Sequence, residues 1–131
     1  MKAALSGLTE VFFVGAGGFV GASLRFIMSG LVQRLDPMGT FPYGTMSVNV
    51  LGCLVIGVLG GLADSRHVLG PNARLFVLLG VLGGFTTFST FAFESLALLR
   101  DGESLRAGAN VFGSVTACLV SVWLGYAIGN R

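Results

Sequence analysis

The stretch Gly83-Gly84-Phe85-Thr86-Thr87-Phe88-Ser89-Thr90-Phe91 concentrates the residue types that could do chemistry here, and no charge falls between Leu75 and Phe93. Glycine accepts backbone angles that other residues avoid, so Gly83-Gly84 followed by Thr86-Thr87 is where a helix could break. A break frees carbonyl oxygens that can bind a hard cation such as sodium, as unwound helices do in transporters. Phe85, Phe88 and Phe91 recur at three-residue spacing and read as a stripe on a helix, interleaved with Thr87, Ser89 and Thr90. A phenyl ring has a negative face and a positive edge. Ring edges along a path could therefore steady an anion without a full charge to trap it, and conduction needs binding that both admits and releases the ion. The bland alternative for the glycines and the rings is close helix packing.

Few other polar groups lie in apolar surroundings. Arg25 sits well inside the first apolar run, where a charge costs on the order of 3 kcal/mol. It reads either as an electropositive feature that attracts an anion or as a side chain snorkelling to the interface. Asn49 is about two turns into the second run, and Asn110 is at similar depth in the fourth, entering from the same side. Ser114 follows Asn110 by four residues and shares its helix face. Together with Arg25 they gather in one half of the membrane, consistent with a hydrated path; for Asn110 alone, helix–helix hydrogen bonding is the competing reading. Glu94, one turn past the stripe, could pair with a basic residue or sit near the headgroups, and Glu10 lies at the mouth of the first run. Cys53 and Cys118 fall in different apolar runs and read as small buried hydrophobes, neither a disulfide nor a metal pair. His67, beside Arg66, reads as a solvated loop residue.

The elements that must position these groups follow from composition. Of 131 residues, 53% are hydrophobic and 11% charged, with a mean hydropathy of +0.85, against about 25% charge in soluble domains. This is the composition of an integral membrane protein. One span needs about 20 apolar residues, so the length allows about four spans and no soluble catalytic domain. The expected spans are 11–35, 43–63, 73–99 and 105–129, forming one all-α membrane domain with the third helix broken near mid-membrane. The first run is too long for a cleavable signal peptide and contains Arg25. A net charge of +2 without a basic cluster gives no argument for nucleic acid. Gly15-x-Gly17 with Gly21 misses the spacing of a dinucleotide loop.

Each span carries a glycine pair four residues apart: Gly17 and Gly21, Gly57 and Gly61, Gly80 and Gly84, Gly125 and Gly129. Such pairs let backbones approach closely in lipid, within one chain and between copies. Four spans put Lys2, Arg66, Arg74 and Arg131 on one side, and Arg34, Arg100 and Arg106 on the other. Lys and Arg asymmetry normally sets orientation. Four against three is almost none, which opens insertion both ways up and an inverted pair of chains; a single weakly biased topology is the alternative.

Four motifs then make the chain resemble the Fluc-type (CrcB) fluoride channels: Gly18-x-x-Gly21-x-x-x-Arg25-Phe26; Gly44-Thr45-x-x-x-Asn49-x-x-Gly52; the Gly83 to Phe91 stretch with Glu94; and Asn110-x-x-x-Ser114. They occur in order across all four spans, and the third is the most specific. The resemblance implies a bacterial inner-membrane channel that passively exports fluoride and so reduces its toxicity. It implies a dual-topology antiparallel homodimer with two pores. By the same resemblance Phe88 and Phe91 line the pores, Asn49 is the pore asparagine, and Ser89, Thr90 and Ser114 lie along the ion track. Arg25 is the arginine near the vestibule, and backbone carbonyls of Gly83 and Thr86 hold a structural sodium ion at the dimer centre. Asn110 stands where some relatives carry Tyr, and Cys118 where a glycine is expected.

Two other classes compete. A proton-coupled multidrug exporter of four helices needs a carboxylate at mid-span, whereas Glu10 is at the mouth and Glu94 off-centre. A non-transporting scaffold would use the glycine pairs for packing alone. An enzyme is excluded by the lack of paired carboxylates or a nucleophile–base set at membrane depth.

Overall fold

Each apolar run of the sequence becomes a helix long and apolar enough to cross a bilayer. The structure, a computed structural model, describes residues 2–66 and 69–131, with side chains from residue 7 onward; His67 lies outside the described residues. Helix α1 is Lys2–Gln33 and α2 is Tyr43–Arg66. The third span, Pro71–Arg100, comes in two halves, α3 over 71–85 and α4, Phe88–Arg100. The last helix, α5, is Ser104–Gly129. No strand occurs among the described residues.

The first helix ends at Gln33, short of the expected Leu35, because its side chain stitches the following loop. Gln33 Nε2 donates to Phe41 O at 3.0 Å, and Gly44 N donates to Gln33 Oε1 at 3.1 Å. Asp36 Oδ2 accepts from the backbone N–H of Thr40 and of Phe41 at 2.8 and 3.2 Å, and Gly39 takes the left-handed φ of 60° that lets the loop turn.

The glycine pairs pack against one another within one chain. Gly17 and Gly21 of α1 face Gly80 and Gly84 of α3: a Cβ on Gly17 would stand 2.9 Å from Gly80 Cα, and one on Gly84 2.7 Å from Gly18 O. Gly57 and Gly61 of α2 face Gly125 and Gly129 of α5, where a Cβ on Gly125 would stand 2.9 Å from Val58 N. Both seams run parallel, 17 to 21 alongside 80 to 84 and 57 to 61 alongside 125 to 129. Lipid tails are as apolar as leucine, so close backbone contact is what holds such helices together. The chain buries few large apolar side chains, among them Val48, Leu82, Phe85 and Phe91, while Phe12, Phe19, Phe26, Phe112 and Trp123 face outward.

The break falls inside the expected Gly83–Thr87 stretch, at its threonines and not at its glycines. Gly83 is helical, with φ −63° and ψ −37°, and Gly84 serves the α1 seam. Thr86 and Thr87 leave the helix instead, with φ and ψ of −86° and 157°, and −152° and 117°. The break also splits the expected stripe. Phe85 closes α3 and is buried, whereas Phe88 and Phe91 open α4. Ahead of the break, residues Leu75–Leu82 form a π-helix, a rare form that is usually a single turn within an α-helix and is frequent at functional sites.

Candidate functional site

Thr87 is the hub of the break. Its N–H, which in an unbroken helix would donate to Gly83 O, donates to Asn49 Oδ1 at 2.8 Å. Its carbonyl accepts from Asn49 Nδ2 at 3.1 Å. Asn49 on α2 thus replaces the ladder bond that the Thr87 N–H gives up and adds a second bond to the Thr87 carbonyl. Thr87 Oγ1 caps α4 by accepting from Thr90 N at 3.3 Å, donates to Thr90 Oγ1 at 3.0 Å and lies 3.4 Å from Ser89 Oγ. A threonine N-cap that satisfies a first-turn N–H is a standard helix start. Thr86 remains tied to α3, its N–H and hydroxyl both reaching Leu82 O at 3.0 Å.

Two hollows flank this hub. The larger, about 420 Å³, is a cleft among α2, α3, α4 and α5; its polar walls are Asn49, Thr86, Thr87 and Ser114, and its aromatic walls Phe88 and Phe91. The two rings are 5.4 Å apart and tilted by 51°. Phe91 is 8% exposed and Phe88 is 78% exposed at the rim. No charged side chain lines the cleft. The smaller hollow, about 180 Å³, is lined by Arg25, Ser29, Thr45 and Thr90 among others, and Thr87 belongs to both.

The break also exposes two helix ends. The N-terminus of α4 carries partial positive charge and the C-terminus of α3 partial negative charge. One site can therefore favour an anion at the first N–H groups of α4 and a cation at the last carbonyls of α3.

Arg25 does not reach for the interface: half-buried on α1, it makes a long 3.5 Å hydrogen bond from Nη1 to Thr86 O. Ser114 stands on the cleft wall, but Asn110 sits in the seam between α4 and α5. There it is 1% exposed, donating from Nδ2 to Ser95 Oγ at 3.0 Å and accepting from Ser114 Oγ at 3.2 Å. The polar groups expected to share one vestibule are thus divided: Asn49 and Ser114 on the cleft, Arg25 in the smaller hollow, Asn110 between helices. Ser89 is exposed beside the hub, and Thr90 faces Arg25's hollow. Glu94 meets no basic group; Thr45 Oγ1 donates to its Oε1 at 2.7 Å, and its Oε2 is buried with no partner among the described residues.

The sequence reading missed Thr87 as the organising residue, although a Thr that opens a helix is a favoured N-cap. It also read the cysteines as unconnected, whereas Cys53 and Cys118 both line the cleft.

The family model described as "CrcB-like protein, Camphor Resistance (CrcB)" matches residues 12–126, a range that includes the break, its clamp and both hollows. The chain belongs to the CrcB family. Among its relatives are proteins named fluoride-specific ion channel FluC. The one from Opitutus terrae is 49% identical over 116 residues, 87% of each chain. That from Methylocella silvestris is 44% identical over 121 residues, 91% of this chain and 92% of its own. That from Elusimicrobium minutum is 46% identical over 119 residues, 91% and 92% of the two chains. With four spanning helices, this CrcB member is a multi-pass membrane protein.

Proposed function

We infer that this protein is a fluoride-selective ion channel that lets fluoride leave the cell passively, and not an enzyme. The observation that carries the reading is the cleft: an apolar hollow with two phenylalanines, an amide and hydroxyls on its walls, and no charge to hold an ion fast. Fluoride is small and strongly hydrated, so lost water must be replaced by donors. The second N–H of Asn49 Nδ2 and the N-terminus of α4 supply them, and the Ser114 hydroxyl joins them once it turns from Asn110 Oδ1 toward the cleft. The positive edges of Phe88 and Phe91 add weak attraction. Arg25 acts from the far side of the hub, raising the potential without standing in the path, and Ser89 and Thr90 continue the polar surface beyond Thr87. A multidrug exporter would need a carboxylate facing its cargo, and none lines the cleft.

The working unit in this reading is an antiparallel homodimer in the bacterial inner membrane, with two pores. The almost even charge count supports dual insertion, and the exposed Phe88 at the rim suits closure by a second copy. A structural sodium ion fits the same break. Gly83 O has lost its usual i+4 donor to Asn49, and Thr86 O accepts a long bond from Arg25. Both are hard oxygens at the C-terminal end of α3, suited to such a cation. The carbonyls of Gly83 and Thr86 from each of two copies would hold the ion, which would fix the two breaks against each other.

Growth of a fluoride-hypersensitive bacterial strain tests the reading in cells. Expression of this chain is expected to restore growth in fluoride, and failure despite membrane expression would overturn it.

A further inference from the structure

The parallel seam between α2 and α5 has a consequence for the two cysteines. A Cβ on Gly57 would meet the carbonyl of Val122, and one on Gly61 that of Tyr126. Continued one turn toward the break, the same register sets Cys53 against Cys118. Both are free, both are only partly buried, and both line the cleft beside Phe88, Phe91 and Ser114.

We propose that Cys53 and Cys118 form a two-thiolate site for a soft divalent cation of the mercuric type, and that its occupancy closes the cleft. Three features select this class. Sulfur ligands favour soft metals. No histidine or carboxylate lines the cleft, and no group of three or more such ligands occurs among the described residues. Tetrahedral ions such as zinc, which want four ligands, are thereby disfavoured, whereas a mercuric ion is satisfied by two sulfurs in line. The product is also neutral: two S–H bonds break, two Hg–S bonds form and two protons leave to the buffer. A neutral product suits apolar walls such as Ile56, Leu78, Leu82 and Leu119, where an uncompensated charge would be costly. The metal would stand between α2 and α5, across from the two rings.

The closure half of this proposal rests on the cleft being the fluoride path, and the binding half does not. The probe is mercuric ion alone, added to the full-length protein and followed by excess monothiol wash. Intact-mass measurement of the wild type is expected to show one mercury per chain with two protons lost, retained through the wash. Cys53→Ser and Cys118→Ser should each lose the retained metal. Two mercury adducts per chain, or none surviving the wash, would overturn the site without needing any variant to fold. In proteoliposomes, mercuric ion should cut the initial fluoride efflux of the wild type at least tenfold. It should leave Cys53→Ser/Cys118→Ser at that variant's own metal-free rate. Retained mercury with undiminished efflux overturns the closure, while absent efflux before metal is added overturns the channel reading itself.

Discussion

Replacing Asn49 by Ala removes the clamp on the break, and the structure sets the scale of the loss. Two hydrogen bonds go, 2.8 Å from Thr87 N and 3.1 Å to Thr87 O. Thr87 is buried, so its N–H is left without a partner, at about 1–3 kcal/mol. Interhelical hydrogen bonds in membranes average about 0.6 kcal/mol and reach about 1.7, which holds the pair nearer the middle of that range. The expected destabilisation is therefore about 2 kcal/mol, on the order of 30-fold in the folded-to-unfolded ratio. Reversible unfolding in mixed detergent micelles reads this directly, and fluoride efflux should fall with it. Asn49→Asp separates the two roles. Its carboxylate still accepts from Thr87 N–H and should recover part of the stability, but a negative charge on the cleft wall should keep fluoride out. If Asn49→Ala were as stable as the wild type within about 0.5 kcal/mol, or if Asn49→Asp conducted normally, the account of the break would be wrong.

Three further outcomes follow from the packing and the cleft. Gly125→Leu forces a side chain into the backbone of α2, with even its Cβ 2.9 Å from Val58 N; overpacking of this kind costs about 1–3 kcal/mol, readable in the same unfolding assay. Asn110→Leu deletes one seam hydrogen bond, to Ser95, and one within α5, from Ser114; the seam bond costs about 0.6 kcal/mol at the membrane average. Since Asn110 does not line the cleft, its fluoride efflux should stay within a few-fold of wild type. Phe88→Ile together with Phe91→Ile keeps apolar bulk but removes the ring edges, so efflux should disappear while chemical cross-linking still yields dimers.

The spans were legible because lipid demands long apolar runs: the last three end within about three residues of the helices seen, whereas α1 begins at Lys2, well before residue 11. Glycine spacing gave the seams, since only a residue without a Cβ allows the approach between Gly17 and Gly80. The position of the break was less legible. Gly83 and Gly84 permit unusual angles, but permission is not a requirement, and both glycines stay in the helix. What stops α3 is an alternative set of partners for Thr87, and the main one, Asn49, lies 38 residues away in sequence. The π-helix at Leu75–Leu82 left no trace in composition or spacing. Cys53 and Cys118 were invisible as a pair for a related reason: their contact depends on the parallel register of α2 and α5, which no local pattern encodes. Asn110 showed the reverse. The face it shares with Ser114 was legible from their four-residue spacing, yet Ser95 on α4, the residue that draws it into the seam, carried no signal.

The central claim is selective passage of fluoride, and its most direct measurement is anion efflux from proteoliposomes given an electrical shunt. Vesicles holding the purified protein and loaded with fluoride should empty rapidly once the shunt is added, while matched vesicles loaded with chloride should retain it. Equal loss of both anions, or loss of neither, would contradict the account.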